Sequence, residues 1–260
     1  MKINFASISQ RGKRAVNQDT CLSKQLTSDI YIFAVADGMG GVAGGERASE
    51  IVISVLENSI VSSLDQIYDF EDGVTLAFQK AISDIQEAIA HDVRDQSEFQ
   101  GMGSTLTAML IVGNTYAYCN IGDSRLYSFS ESGLKVLTID HSYVQEILSQ
   151  KDLAELTDEF LQRHDNIITR VLNGGEDVAD HYSVQNLDFT QTSFIAFLLC
   201  SDGLILEKRK DPDYIARILS ESRDDLEEDC LKLSNHAYEN GSTDNITCIL
   251  VRVDQEQQTF

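Results

Sequence analysis

The stretch Tyr31-Ile32-Phe33-Ala34-Val35-Ala36-Asp37-Gly38-Met39-Gly40-Gly41-Val42-Ala43-Gly44-Gly45-Glu46 puts a buried strand, an acidic turn and a helix start in one line. Tyr31 to Ala36 is almost wholly apolar, as a strand covered on both faces must be, and it delivers Asp37 at its end. An Asp-Gly pair is often a hairpin turn, but a hairpin needs a second strand next. Here a glycine-rich connection follows, and then a predicted helix from about Glu46 to Leu64 with Ala48, Ile51, Val52 and Val55 on one face. The same arrangement recurs along the chain. Phe194 to Cys200, followed by Ser201, delivers Asp202; Asp244-Asn245 opens the apolar run Ile246 to Val253; Asn17-Gln18-Asp19 and Gly122-Asp123-Ser124 also border β-like runs. A carboxylate at the end of a buried strand has little freedom, which is what a metal ligand needs. The repetition reads as one metal site assembled by folding.

The chain has 260 residues with one proline, no tryptophan and no linker-like segment, which fits one large domain over 1–254 and a short polar tail over 255–260. A net charge of −22 argues against binding to nucleic acid or to an anionic membrane, because either needs clustered Lys and Arg. Among the five cysteines, Cys119, Cys200 and Cys248 lie in apolar runs, where a thiol acts as a small hydrophobe; reduced, structural cysteines are expected. The start Met1-Lys2-Ile3-Asn4-Phe5 lacks a signal core, and no run approaches the roughly 20 apolar residues of a membrane span, so a cytoplasmic protein is expected.

Ile3 to Ser9 reads as a strand, and Gln10 to Arg14 as a basic turn. A second helix, about Gly73 to Val93, carries Val74, Ala77, Phe78, Ala81, Ile82, Ile85, Ala88 and Ile89 on one buried face. Strands follow at Ser104 to Val112, Thr115 to Ile121, Arg125 to Phe129 and Leu134 to Leu137, with connections short enough to require antiparallel pairing. His141 to Phe160 is predicted helical, with strands at Ile167 to Leu172, Ser183 to Leu187 and Phe194 to Cys200. Helices near Pro212 to Ser220 and Leu226 to Tyr238 precede the last strand. Helices in pairs around antiparallel strands make a layered α+β sandwich.

Clustered carboxylates repel one another unless a cation joins them. Oxygen-only motifs favour hard ions such as Mg²⁺ or Mn²⁺ over zinc. Two such ions can lower the pKa of a bridging water toward neutrality for in-line attack at phosphorus, with no protein nucleophile.

On these motifs the chain resembles the PP2C-type (PPM) metal-dependent serine/threonine protein phosphatases, especially the bacterial type. Gly12-Lys13-Arg14-Ala15-Val16-Asn17-Gln18-Asp19, Val35-Ala36-Asp37-Gly38-Met39-Gly40-Gly41, Gly101-Met102-Gly103-Ser104-Thr105, Gly122-Asp123-Ser124-Arg125, Asp140-His141-Ser142, Ile168-Thr169-Arg170, Leu199-Cys200-Ser201-Asp202-Gly203 and Asp244-Asn245-Ile246-Thr247 stand in the family's order. The resemblance implies a four-layer α/β/β/α sandwich with two central antiparallel sheets and a metal centre at one end. It further implies that Asp37 bridges two metals (Mn²⁺ or Mg²⁺), that Gly38 offers its carbonyl to one, and that Asp202 and Asp244 bind the other. Asp19 would orient water, Asp123 would bind a weaker third metal, and Arg14 would grip the substrate phosphate, a task suited to a guanidinium fork. The implied partners are phosphorylated proteins, substrates of a serine/threonine kinase, with the phosphatase a monomer.

The chain departs from the family pattern in three places. Gln18 stands where many members carry glutamate, Met39 where the eukaryotic members have histidine, and Val42 where many bacterial members do. The serine or threonine leaving group then needs a proton from metal-bound water or from the segment between His141 and Thr169, which resembles the family's variable flap and where His164 is a candidate.

A catalytically inactive phosphoprotein-binding module on the same fold is the alternative, and a two-metal phosphodiesterase or nuclease is a third reading. Cys119 and Arg125 have the spacing of a cysteine-dependent phosphatase loop, but the carboxylate of Asp123 between them would repel the anion.

Overall fold

A computed structural model describes residues 1–68, 70–150, 156–175, 181–206, 213–222 and 225–255. Pro212, the tail beyond Gln255 and the side chain of Val42 lie outside the described residues. The strands are β1 (Lys2–Gln10), β2 (Asp19–Gln25), β3 (Ile30–Met39), β4 (Gly103–Ser104), β5 (Leu106–Val112), β6 (Thr115–Ile121), β7 (Arg125–Ser130), β8 (Gly133–Val136), β9 (His181–Asn186), β10 (Phe194–Cys200) and β11 (Ile246–Asp254). The helices are α1 (Gly41–Ser62), α2 (Leu64–Ile67), α3 (Phe70–Asp95), α4 (Tyr143–Leu148), α5 (Asp158–His164), α6 (Asp213–Ser220) and α7 (Leu226–Glu239).

The strands form two antiparallel sheets, one in the order β1-β11-β10-β7-β8 and the other β2-β3-β5-β6-β9, with the short β4 paired to β3. Strand periodicity explains the layers, because successive side chains point to opposite faces. In β3, Ile30, Ile32, Ala34 and Ala36 pack with Ile51, Val52 and Leu56 of α1 and with Phe78, Ile82 and Ile85 of α3. Phe33 and Val35 point the other way, into a layer shared with Phe197 and Leu199 of β10 and Ile249 and Val251 of β11. Phe5 meets Phe33 edge-on across that layer, with ring centroids 5.3 Å apart. On the far side, Leu198, Cys200, Cys248 and Leu250 face Ile215 and Leu219 of α6 and Cys230 and Leu233 of α7. Both sheets are thus covered on both faces, which is why β3 and β10 read as continuous apolar runs. The result is the α+β, four-layer sandwich expected from the sequence.

The fold differs from expectation in three places. α1 starts at Gly41 rather than Glu46, so most of the glycine-rich connection is the first turns of the helix. Glycine is a poor helix former, but here it allows close approach: a Cβ on Gly45 would lie 2.3 Å from Nε2 of Gln18 and 2.8 Å from the carbonyl oxygen of Gly38. Among the described residues, the predicted helix over 141–160 is replaced by the short helices α4 and α5, each capped by a hydroxyl, Ser142 to Gln145 N–H and Thr157 to Phe160 N–H, with residues 151–155 outside the described ones. Ile167 to Leu172 makes no strand; it touches Ser142 through Ile168 and Ser104 through Leu172, each as an isolated bridge.

Candidate active site

Alternation of strand direction brings the acidic turns to one end of the sandwich. β3 ends at that edge and β2 begins there, so Asp19 and Asp37 are direct partners in the β2–β3 ladder. β5 starts beside Asp37, where Thr105 N–H donates to the Asp37 carbonyl (2.9 Å) and Asp37 N–H donates to Thr105 Oγ1 (3.0 Å). β6 therefore ends at the same edge, and the turn Gly122-Asp123-Ser124 carries the chain from one sheet to the other. In the second sheet, β10 runs into Asp202 and β11 starts after Asp244, their ends tied by Ser201 N–H donating to Thr247 O (3.0 Å).

Arg14, Gln18, Asp37, Gly38, Asp202 and Asp244 line a cleft of about 620 Å³ at this end. Asp19 (7% exposed) and Asp123 (2% exposed) lie more deeply buried. Like charges directly opposite in a ladder destabilise it. Desolvation, helped by the charges of Asp202 and Asp244 and opposed by the hydrogen bonds of Ser201 and Thr247, raises the Asp19 carboxyl to a pKa of about 7. Asp37 is held well above the ordinary carboxylate range by desolvation first, then by the charges of Asp19, Asp202, Asp123 and Asp244. The other four predicted carboxylates are therefore all brought within electrostatic reach of Asp37.

The residues fit a hard divalent cation. Oδ2 of Asp19 accepts from Ser201 Oγ (2.7 Å), whereas its buried Oδ1 accepts no hydrogen bond. The Nη2 of Arg14 donates to Asp244 Oδ2 at 2.7 Å, so a cation already sits on one carboxylate of the set. Among the described residues, no three acidic, thiol or imidazole groups lie close enough together to hold one metal ion by themselves, so waters and backbone oxygens would have to complete the coordination of any ion bound here.

Asn245 is the residue that reading the motifs for carboxylates misses. Its Oδ1 accepts from Gln18 N–H (2.9 Å), and its Nδ2 donates to the carbonyls of Arg11 (2.8 Å) and Val16 (2.9 Å). One buried amide thus clamps the loop carrying Arg14 to the segment carrying Asp244. Its presence in the Asp244-Asn245 motif was the signal, since only an amide both donates and accepts in this way. Asn245→Ala is expected to destabilise the protein by about 2–4 kcal/mol, because a backbone N–H and two carbonyls lose their partner. Thermal unfolding checks this, and turnover should fall with it.

Gln18, the departure from glutamate, has a local explanation: its Nε2 donates to the Gly41 carbonyl (2.6 Å), which an ionised carboxylate cannot do. His164 is engaged by its own helix, with Nδ1 2.7 Å from the Phe160 carbonyl and its ring stacked on Phe160 at 4.2 Å. The residues from that region that line the cleft are instead Asn166 and Ile168. Cys119 is fully buried in the helix-side core, and Arg125 is bound to Asp140 through two bonds of 2.8 and 2.7 Å, so neither belongs to a cysteine-dependent phosphate loop.

Two antiparallel sheets lie between helix pairs, with acidic strand ends gathered at one edge, and this plan matches a known protein family. The sequence model of the family described as Protein phosphatase 2C matches residues 8–242, and the chain belongs to that family. It is 33% identical over 256 residues to the serine/threonine protein phosphatase PstP of Mycobacterium tuberculosis, covering 96% of this chain and 45% of that protein. This chain therefore spans about half the length of that relative. It is 31% identical over 228 residues to the serine/threonine phosphatase stp of Listeria monocytogenes, covering 87% of this chain and 86% of that one. The catalytic domain of PstP, solved in complex with two manganese ions, superposes with a TM-score of 0.75 at 30% identity, covering 97% of this chain and 99% of the other.

Proposed function

We propose that the protein is a metal-dependent protein serine/threonine phosphatase. The observation that carries this reading is the convergence of Asp19, Asp37, Asp123, Asp202 and Asp244 on one edge of the sandwich, where each of the other four acts electrostatically on Asp37. Asp37 with the Gly38 carbonyl, together with Asp202 and Asp244, would hold two Mn²⁺ or Mg²⁺ ions, and Asp123 a third, weaker one. Bound divalent ions supply the charge that ionises a water near neutral pH and offsets the phosphoryl oxygens.

The chain's own groups then have separable tasks. Ser201 fixes Oδ2 of Asp19, leaving Oδ1 to accept from and orient a water. Arg14 is exposed at the cleft and spends Nη2 on Asp244; a guanidinium carries five N–H donors, so others remain for phosphoryl oxygens. Asn245 and Gly12 hold that arginine in register with Asp244. Gly12 has φ +59° and lies so close that a Cβ there would stand 2.0 Å from the Asp244 carbonyl oxygen.

We read the substrates as proteins phosphorylated by a serine/threonine kinase. A cytoplasmic setting is supported by the absence of disulfides among the described residues, all five cysteines being thiols, as a reducing compartment keeps them. Among the described residues no helix is long and apolar enough to cross a membrane. We take residues 1–254 as one domain, since Asp19, Asp37, Asp123, Asp202 and Asp244 are spread along it and meet at one edge, and we read the protein as a monomer. Hydrolysis of p-nitrophenyl phosphate and of a phosphothreonine peptide should require Mn²⁺, cease with chelator, and spare phosphodiesters. No turnover of monoesters with metal present would favour the phosphoprotein-binding module instead.

A further inference from the structure

Resting on the phosphatase reading, we propose that Arg11, with Lys13 beside it, forms a second anion-binding point at the cleft rim and selects phosphopeptides with an acidic residue next to the phosphorylated one. The chain carries 42 Asp and Glu against 20 Lys and Arg, yet Arg11, Lys13 and Arg14 fall within one short loop at the catalytic edge. Arg14 is committed to Asp244. Arg11 and Lys13 are exposed, and among the described residues neither pairs with a carboxylate. Nη1 of Arg11 donates to the carbonyl of Ala15 (3.4 Å), a residue that lines the cleft, which places the guanidinium at its rim. Lys13 holds its Nζ over the ring of Tyr238, 5.2 Å from the centroid, on the α7 side of the same loop.

The positions are built in. Arg14 N–H donates to the Arg11 carbonyl (3.3 Å), closing a turn, and Asn245 Nδ2 binds that same carbonyl from the metal-ligand segment. These bonds fix the backbone at Arg11, and so the point from which its guanidinium reaches the rim, with Lys13 two residues further along the same turn. Range decides which charges a bound peptide feels. Exposed charges are screened beyond about 8 Å at physiological salt, so the net charge of the whole protein matters less than this loop. A residue adjacent to the phosphorylated one lies about 3.5 Å along an extended peptide, well inside that range. A guanidinium fork matches a carboxylate there, and it has no internal carboxylate to give up.

The test is kcat/KM with Mn²⁺ for phosphothreonine peptides that differ only in carrying Glu, Gln or Lys at the flanking positions. The wild type should prefer the Glu peptide over the Gln peptide by about three- to ten-fold at low salt, the range of one or two exposed ion pairs, and lose that preference as salt rises. In an Arg11→Ala, Lys13→Ala protein the ratio should fall to near unity. In an Arg11→Glu, Lys13→Glu protein it should invert toward the Lys peptide, which a merely unfolded variant could not do. Turnover without a flank preference in the wild type, or a preference that survives both double substitutions, would overturn the inference alone. No turnover of any peptide or of p-nitrophenyl phosphate would overturn the phosphatase reading and this inference with it.

Discussion

Asp37→Asn is expected to lower Mn²⁺-dependent turnover by about 10³-fold or more and, at the same time, to raise the melting temperature of the metal-free protein. The two effects have one cause. Asp37 sits opposite Asp19 in the β2–β3 ladder and under the field of Asp123, Asp202 and Asp244, so its charge disfavours folding unless a cation offsets it. Asparagine has nearly the same shape and keeps the backbone bonds to Thr105, so the ladder survives. What disappears is one negative charge and the hardest oxygen donor at the centre of the set. A variant that lost activity through misfolding would melt lower, not higher. Steady-state kinetics and thermal unfolding of the same preparation, with and without Mn²⁺, separate the two explanations.

The second large effect is on pH. Asp19 is raised to a pKa of about 7 in the folded protein, chiefly by desolvation, while an unfolded carboxyl titrates at about 4. A group raised on folding contributes stability that is complete below its unfolded pKa and is lost as pH climbs through its folded one. The metal-free protein should therefore become less stable between about pH 4 and pH 7, by up to about 4 kcal/mol from this carboxyl, with Asp37 acting in the same direction. Mn²⁺ competes with protons for the same oxygens, so its stabilising effect should grow over that window and its binding below pH 7 should release protons. Asp19→Asn should flatten the metal-free profile. Melting curves from pH 4 to pH 8, with chelator and with Mn²⁺, check each part; equal slopes in wild type and Asp19→Asn would contradict the assignment.

What the sequence revealed and what it hid follow from the range of the forces involved. β6 (Thr115–Ile121) and β10 (Phe194–Cys200) have the bounds expected from their apolar runs, because burial on both faces leaves a local mark in composition. α3 was legible from its periodicity, since its Val74, Phe78, Ile82, Ile85 and Ile89 form one buried stripe. The segment from His141 to Leu172 was not. Its short helices are decided by hydroxyl caps, and Ile168 and Leu172 find only bridging partners, so no sustained pattern specifies them. The carboxylates were legible one by one because each ends an apolar run. Their convergence depends on strand order, which places β6 and β7 in different sheets and Asp123 between them. Thr105 and Ser201 act on the site through partners far along the chain, as in the bond from Ser201 to Asp19, and local sequence carries little sign of that; Asn245 does the same, with its place beside Asp244 as the one local clue.

Side chains from five separate segments would together build one centre for at least two cations. The direct measurement is a crystal of the protein grown with Mn²⁺, with anomalous scattering recorded at the manganese edge. The account predicts at least two strong peaks between Asp37 and the pair Asp202 and Asp244 in the wild type, and loss of the peak nearest residue 37 in Asp37→Asn. Fully loaded crystals with no peak in that cleft, or with peaks unaffected by the substitution, would contradict it.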